Sequence, residues 1–307
     1  MSISRMAYFD GEWIPEEELK ISAWDLAVMQ SASCFEMCRS FHHRHFKLRE
    51  HLDRLRESCR LLSIPLPSDF DRLEEICAEV TEANPLPHAQ EHRLLIVVNA
   101  GAAPMYREIA GTIPHSYCYV ATFPLRYTVQ GFSKYFTEGV HCVTSPIQQV
   151  PDACVPSQAK HRSRLHFHLA QQQAPAGTWP ILRAQTSFYN EIESEIAEAP
   201  GANLVVVKRG SVRVLSEHAL PGISMQTVQE LTGARSGSAF DLDAHDEVFL
   251  TGTPFCMIPV VSIDGKPIGD GQIGPVYKAT LQKWNQLVGL DIAEQICAWD
   301  AQKLTTV

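Results

Sequence analysis

Positive charge is scarce in this sequence. Lys and Arg contribute 26 residues against 35 Asp and Glu, which gives the 307-residue chain a formal net charge of -9. Nine of the 26 are lysines, and no basic stripe runs along any segment. Because a nucleic-acid-binding protein presents a basic face to the phosphates, we expect no nucleic-acid partner.

Disulfide and metal-binding signatures are also missing. The nine cysteines are scattered, odd in number and without a C-x-x-C pair, which argues against a disulfide framework and a zinc site. His42, His43 and His45 fall in a predicted hairpin turn. His166 and His168 lie two apart on a predicted helix, where they cannot face one ligand. We therefore expect reduced thiols, a cytoplasmic protein and no metal site.

Long apolar runs are absent as well. The longest apolar region, residues 248–263, is interrupted by Thr, Gly and Pro and is too short to span a bilayer. Residues 1–13 carry Asp10 and Glu12 and no long apolar stretch, which is unlike a signal peptide. We therefore expect neither a membrane span nor a secretion signal.

What the sequence does contain is an irregular mixture of helical and strand patterns. At roughly 100–200 residues per domain the length suggests two domains, and the irregular order of the elements indicates an α+β fold. Residues 144–157 hold three prolines and little periodicity, so they mark a boundary. We predict an N-terminal domain over 1–145, a linker over 146–157 and a C-terminal domain over 158–307.

Hydrophobic periodicity and turn residues predict the individual elements. In the first half they are a hairpin over 8–13 with Asp10-Gly11 in the turn, strands over 34–41 and 46–48, a helix over 49–62, a helix capped by Ser68, and strands over 94–98, 117–121 and 140–143. In the second half they are a helix from Lys160 to about 173, a hairpin over 204–215, a helix over 223–231, strands over 247–250 and 257–263, and a helix over 274–290.

Five short segments bear side chains that suit one cofactor, pyridoxal phosphate (PLP). In chain order they are His51-Leu-Asp-Arg-Leu55, Lys160, Glu198-Ala-Pro-Gly-Ala-Asn203, Leu220-Pro-Gly-Ile-Ser224 and Thr251-Gly-Thr253. An amine forms a Schiff base with the PLP aldehyde. A carboxylate favours the protonated pyridine nitrogen, and an arginine and a helix N-terminus hold the phosphate.

Taken together, these segments resemble the class IV aminotransferases, the fold-type IV PLP enzymes. The resemblance runs from about Tyr8 to the predicted helix at Gly274. The matching pieces are Phe9-Asp-Gly-Glu-Trp13, Phe35-Glu36, Phe46-x-Leu48-x-x-His51-Leu-x-Arg54-Leu55-x-x-Ser58, Glu198 with Asn203, Gly222-Ile-Ser224, and Thr251-Gly-Thr253 leading to Pro259-Val260. The family's fold is α+β with two domains, and its members are usually homodimers, so the resemblance implies both here.

The resemblance also implies roles for the cofactor-side residues. Lys160 would be the Schiff-base lysine and the base that moves the substrate proton, and Glu198 would pair with the pyridine nitrogen. The phosphate would be held by Arg54, Gly222, Ile223, Ser224, Gly252 and Thr253. Each position also has a plain structural interpretation. Lys160 could be a solvated lysine, and Arg54 an exposed partner of Asp53 or Glu57. Glu198 could be a solvated charge in the acidic run that Glu191, Glu193 and Glu195 begin. The two turns could be an ordinary helix start and strand end.

The substrate side departs from branched-chain enzymes of this family. Their tyrosines are replaced by Gln30, Glu91 and Leu165, and Ser31-Ala-Ser33 stands where a glycine often precedes the Phe-Glu pair. Candidate substrate-side residues are Gln30, Phe35, Arg93 and Pro254. Arg93 fits a strand-edge surface arginine equally well, and Glu36 fits a buried structural hydrogen bond.

The resemblance implies a transaminase that moves an amino group from an amino acid, branched-chain-like or other, to a 2-oxo acid. The segment Thr251-Gly-Thr-Pro-Phe255 is more similar to the transaminases than to the lyase of the family. Two alternatives remain open. One is a PLP lyase of the aminodeoxychorismate type, and the other is a non-catalytic binding protein on the same fold.

Overall fold

The computed structural model describes residues 5–188 and 191–302. Within these residues the chain forms two compact units. The first comprises 5–127 and 159–163, and the second comprises 128–158 and 164–302. The division therefore falls near residue 127, earlier than the linker predicted over 146–157, and a short segment around Lys160 returns to the first unit.

The first unit is built on a six-stranded sheet among its described residues. Its strands are β1 (Met6–Phe9), β2 (Glu12–Pro15), β3 (Ser33–Phe41), β4 (Arg44–His45), β5 (His92–Asn99) and β6 (Tyr117–Pro124), in the order β2-β1-β6-β5-β3-β4. Its helices are α1 (Leu26–Met29), α2 (Leu48–Leu61) and α3 (Leu73–Ala83). Strand β5 runs antiparallel between β3 and β6.

Helices α2 and α3 cover one face of this sheet. The helix predicted over 49–62 is confirmed as α2, and its apolar face is formed by the buried Leu55 and Cys59 with Leu52 and Leu62 packed against the same core. That core also takes the alternate residues of the central strands, among them Cys34, Cys38, Leu94, Ile96 and Val98. Alternation in a strand sends the intervening residues to the opposite face, so Phe35, Arg93 and Val97 lie there.

Tight turns shape the hairpins of the first unit. Asp10 and Gly11 adopt positive φ angles of 47° and 90° between β1 and β2, which confirms the predicted turn. His42 and His43 do the same between β3 and β4, with φ of 52° and 61°. The buried carboxylate of Glu91 accepts hydrogen bonds from both of their backbone N–H groups, at 2.8 and 3.1 Å.

Three predicted boundaries in this unit were wrong. The second strand of the β3 hairpin is Arg44–His45 rather than 46–48, because Leu48 already begins α2. Helix α3 begins at Leu73 after a 3₁₀ turn over Phe70–Arg72, so Ser68 does not cap it. Lys160 lies outside any helix, next to the isolated bridge between His161 and Cys34, and the helix predicted from Lys160 begins only at Leu165.

The second unit is built on an eight-stranded sheet among its described residues. Its strands are β7 (Val140–Thr144), β8 (Thr178–Ile181), β11 (Asn203–Lys208), β12 (Ser211–Leu215), β13 (Arg235–Gly237), β14 (Glu247–Gly252), β15 (Cys256–Ile263) and β16 (Lys266–Pro267). The order is β13-β12-β11-β14-β15-β7-β8, with β16 on β15. A separate hairpin pairs β9 (Arg183–Phe188) with β10 (Glu191–Ile196).

The helices of the second unit are α4 (Ser133–Thr137), α5 (Leu165–Gln173), α6 (Ile223–Thr232), α7 (Pro275–Val288) and α8 (Ile292–Asp300). The predicted helices over 223–231 and 274–290 are confirmed as α6 and α7, whereas α8 was not predicted. Strand β7 was predicted as the last strand of the first half, but it pairs in parallel with β15 and β8. No helix in the described part of the chain combines the length and apolarity that a membrane span requires.

Candidate active site

The segment that carries Lys160 lies along the N-terminal end of β3. The backbone N–H of Phe35 donates to the carbonyl of Lys160 at 3.1 Å, and the N–H of Arg162 donates to the carbonyl of Ser33 at 3.0 Å. A further hydrogen bond joins the Lys160 N–H to the hydroxyl of Ser58 at 2.9 Å. Lys160 is half-buried, and its Nζ lies 4.8 Å from the centre of the Phe35 ring. The lysine is therefore held on the sheet, which differs from a solvated lysine at a helix start.

Arg54 is buried and paired with Glu36 rather than exposed and paired with Asp53 or Glu57. Its Nε and Nη2 donate to the two carboxylate oxygens of Glu36, at 2.6 and 2.7 Å. His51 Nδ1 lies 2.6 Å from the same carboxylate. Two-point pairing of this kind fixes the orientation of a guanidinium as well as its position.

Glu36, Arg54 and His51 influence one another's protonation states. Burial alone would raise the pKa of Glu36, but the Arg54 guanidinium, with help from His51, holds that pKa well below its usual range. Burial lowers the pKa of His51, with smaller contributions in the same direction from Arg54 and Lys160 and an opposing one from Glu36. The charge-bearing members of the group are therefore the Glu36 carboxylate and the Arg54 guanidinium.

The candidate substrate-side residues of the first unit occupy different places. Gln30 is exposed at the C-terminal end of α1. Arg93 lies in the central strand β5 and is buried, so it is not a surface arginine at a strand edge. Its Nε and Nη1 atoms have no hydrogen-bond partner among the described residues. Burial lowers the pKa of Arg93 to about 10.

In the second unit, Glu198 is buried at the turn that leads into β11. Its Oε1 accepts a hydrogen bond from the side-chain amide of Gln149 at 2.9 Å, and its Oε2 accepts one from the backbone N–H of Leu220 at 3.4 Å. The backbones of Ala199 and Ala202 bond to each other and close the turn. The carboxylate is thus oriented by its neighbours, unlike a solvated member of an acidic run.

The same turn adjoins the start of α6. Asn203 donates its side-chain N–H to the carbonyl of Leu220 at 2.8 Å. Gly222 precedes the helix, and a Cβ atom there would overlap the Asn203 Oδ1 atom. Ile223 and Ser224 are buried in the first turn, and no side chain caps it among the described residues. The backbone N–H groups of such a turn favour an anion.

The segment Thr251-Gly-Thr253 lies beside the Glu198–Asn203 turn and the start of α6. Asn203 is paired in register with Thr251 across β11 and β14. Gly252 follows, and a Cβ atom there would lie 2.7 Å from the carbonyl oxygen of Gly201, so only glycine permits this approach. Thr253 and Pro254 form the half-buried turn into β15.

These residues fit PLP on chemical grounds. The second unit gathers a buried carboxylate, an uncapped helix start and a glycine turn at one end of β11 and β14. The first unit, taken by itself, holds an amine above an aromatic ring and an oriented guanidinium. Among residues 5–188 and 191–302, no three His, Cys, Asp or Glu side chains lie close enough together to hold a metal ion.

Two residues of this constellation were not singled out from the sequence. Gln149, in the predicted linker, binds Glu198. Arg162 lies with its guanidinium carbon 4.2 Å from the centre of the Phe35 ring, next to Lys160. A signal for Arg162 did exist, because it lies only two positions from Lys160 in the sequence. The helix predicted there concealed it.

Comparisons with known proteins identify the family of this chain. The model of the amino-transferase class IV family matches residues 33–263. A putative branched-chain-amino-acid aminotransferase of Methanocaldococcus jannaschii is 25% identical over 290 residues, which cover 91% of this chain and 95% of the relative. The structure of Escherichia coli branched-chain amino acid aminotransferase is similar with a TM-score of 0.77, 24% identity, and coverage of 94% and 95%. That of T.th. branched-chain amino acid aminotransferase, complexed with N-(5'-phosphopyridoxyl)-L-glutamate, has a TM-score of 0.75, 24% identity, and coverage of 96% and 97%.

Proposed function

Because this chain belongs to the amino-transferase class IV family and is a PLP-dependent transaminase of fold-type IV, we propose that Lys160 is the residue whose amine bonds to the cofactor. The observation that carries this proposal is the fixed position of Lys160 on the edge of β3, with Nζ 4.8 Å from the Phe35 ring centre. An amine that must bond to one aldehyde carbon gains from being held in place.

PLP, when bound, supplies an electron sink that eases removal of the proton from the substrate Cα atom. We assign Lys160 Nζ to accept that proton and to return one on the cofactor side. Glu198 is assigned to the pyridine nitrogen, because an oriented carboxylate favours its protonated form. The hydrogen bonds from Gln149 and Leu220 support this role, since they aim the carboxylate in advance.

The phosphate is assigned to hydroxyl, amide and guanidinium groups. From the second unit these are the first turn of α6 at Ile223 and Ser224 and the turn at Thr253, with Gly222 and Gly252 permitting close backbone approach. From the first unit it is Arg54, whose orientation is fixed by Glu36. Charge-assisted hydrogen bonds of this type are among the stronger polar contacts in proteins.

The substrates are an amino acid donor and a 2-oxo acid acceptor. Branched-chain donors are the first to test, because the relatives are named for them. Phe35 would border the substrate, and Gln30 and Pro254 are assigned to its further surroundings. Arg93 is assigned to an anionic group of a substrate, because a buried guanidinium with unpartnered nitrogens is costly unless something binds it.

We also propose that the protein is a cytoplasmic homodimer. Free thiols at all nine cysteines support a reducing compartment, and the family resemblance supports the dimer. Sedimentation of the purified protein would measure the assembly, and a single species at 34.3 kDa would contradict it.

Borohydride trapping tests the central assignment. The PLP-loaded protein is reduced and digested, and a pyridoxyl adduct is expected on the peptide that contains Lys160. A screen of amino donors and 2-oxo acid acceptors follows, read by loss of the visible cofactor band. Ping-pong kinetics are expected. An adduct on another lysine, or release of pyruvate and an aromatic amine without an acceptor, would contradict the proposal.

A further inference from the structure

Lys160 and Arg162 point to the same side of their segment. The segment is joined to β3 by the isolated bridge between His161 and Cys34, and Lys160 and Arg162 flank that bridge. Both side chains meet the Phe35 ring. The Lys160 Nζ lies 4.8 Å from its centre, and the Arg162 guanidinium carbon lies 4.2 Å from it. A guanidinium therefore lies beside the amine assigned to the chemistry.

The position of Arg162 is fixed by two aromatic residues. One is Phe35, over whose ring the guanidinium lies. The other is Tyr119: burial raises the pKa of its phenol, and the nearby Arg162 guanidinium acts in the opposite direction. Phe35 and Tyr119 stand in register on either side of Val97, across three neighbouring strands. An arginine held in this way loses less conformational freedom when it binds a ligand.

The charge of Arg162 is not neutralised locally. Among the described residues no carboxylate lies within ion-pair distance of its guanidinium. Asp25, which acts electrostatically on Tyr119, is occupied. Its Oδ2 accepts a hydrogen bond from the hydroxyl of Tyr117 at 2.9 Å, and its Oδ1 accepts one from the N–H of Ala27 at 2.7 Å. The positive charge of Arg162 is thus available to an incoming anion.

We infer that Arg162 binds a carboxylate of the amino acid or 2-oxo acid substrate. The inference rests on the proposed role of Lys160, because only then does the neighbouring ring mark the place of the substrate. A planar guanidinium matches a carboxylate with two parallel hydrogen bonds, which an amide or a single hydroxyl cannot supply. The carboxylate belongs either to the α-carbon or to a dicarboxylic side chain, and the test separates the two.

The test compares Arg162→Gln with Arg164→Gln in the PLP-loaded enzyme. Arg164 lies two residues further along, and its guanidinium carbon lies 4.5 Å over Phe167, so the control removes the same charge from the same stretch of chain. Arg162→Gln should raise KM about 10- to 100-fold, the usual effect of losing a hydrogen-bonded ion pair, and should change kcat less than about threefold. The KM of Arg162→Lys should lie between those of Arg162→Gln and the unaltered protein.

A rise in KM for every α-amino acid would assign the α-carboxylate, and a rise for aspartate and glutamate alone would assign the side-chain carboxylate. A second readout is the binding of saturated mono- and dicarboxylic acids, followed by the visible cofactor band. Their dissociation constants should rise by a similar factor. If Arg162→Gln still formed the Lys160 adduct and its KM values and dissociation constants were unchanged, the inference about Arg162 would be overturned but the proposed function would stand. Loss of the adduct in the unaltered protein would overturn the proposed function instead.

Discussion

Glu36 binds Arg54 with both of its carboxylate oxygens, at 2.6 and 2.7 Å, inside the core of the first unit. The two residues lie on β3 and α2, 18 positions apart in the sequence. Neither group could be buried alone without a large desolvation cost, so each depends on the other. Glu36, a residue of the sheet, thereby holds Arg54, the residue assigned to the cofactor phosphate.

Replacing Glu36 should destabilise the first unit strongly. Glu36→Gln keeps the size of the side chain but leaves the Arg54 guanidinium buried without its counter-charge, a change that typically costs about 3–5 kcal/mol. Urea unfolding followed by circular dichroism should show an earlier transition. Glu57→Gln is the matched control, because Glu57 forms an exposed pair with Arg60 on the same helix. Equal midpoints for the two variants would contradict a stabilising role of the buried pair.

Stability should fall as the pH drops from neutrality. Burial lowers the pKa of His92 from 6.5 to about 4. The unfolded chain therefore binds a proton before the folded protein does, so the contribution is complete above pH 6.5 and is lost as pH falls toward 4. His92 is 1% exposed, and the loss is on the order of 1–3 kcal/mol.

Thermal midpoints measured across this range check the expectation. His92→Gln should make the profile less steep between pH 6.5 and 4, whereas His168→Gln, at an exposed position on α5, should leave its slope unchanged. Glu36 adds a further loss at lower pH, since its folded pKa lies below its ordinary value of 4.5. If both histidine variants gave profiles of the same slope, the burial of His92 would not be the cause of the loss of stability at low pH.

Lys160→Ala should abolish transamination, because the variant lacks the amine that bonds to the cofactor and moves the substrate proton. The expected decrease in kcat is at least about a thousandfold, in the range found when a nucleophile or base is removed. Single-turnover assays with an amino donor, followed at the cofactor band, measure it. Lys134→Ala removes an exposed lysine of α4 and should keep the rate. Near-native turnover by Lys160→Ala would refute the assignment.

Glu198→Gln should retain PLP but slow the proton shift, since an amide no longer favours the protonated pyridine nitrogen. The expected loss is roughly 10- to 1000-fold in kcat, with bound PLP per chain unchanged by absorbance. Glu193→Gln removes an exposed acid from the same acidic stretch and serves as the control. A Glu198→Gln enzyme with full turnover would leave the carboxylate without its proposed role.

Gly222→Ala should weaken retention of PLP. The added methyl would overlap the Asn203 side-chain oxygen and displace the first turn of α6. Equilibrium dialysis should give a PLP dissociation constant at least about tenfold higher, equivalent to the loss of about 1.4 kcal/mol. Gly237→Ala is the control, because its nearest neighbour would be an ordinary 3.6 Å contact with Arg213. Equal PLP affinity in the two variants would contradict the phosphate assignment at this turn.

Some elements were predictable because their signals are local. The Asp10-Gly11 turn, the apolar face of α2 and the helix after Gly222 each follow from residues a few positions apart. The hairpin of β9 and β10 was missed although its signal is also local. Residues 191–196 alternate between Glu and other residues, a period of two that is typical of a strand, but they were interpreted as an acidic run.

The sequence by itself determined the family, the order of the motifs and the residue types that PLP requires, because a motif is a property of neighbours in the chain. Tertiary structure alone decided that residues 159–163 lie along β3, that Glu36 is the partner of Arg54, and that Arg162 lies over Phe35. These are pairings between segments far apart in the chain. Their free energy comes from hydrogen bonds and burial that exist only after the sheet has formed, so no local propensity reports them.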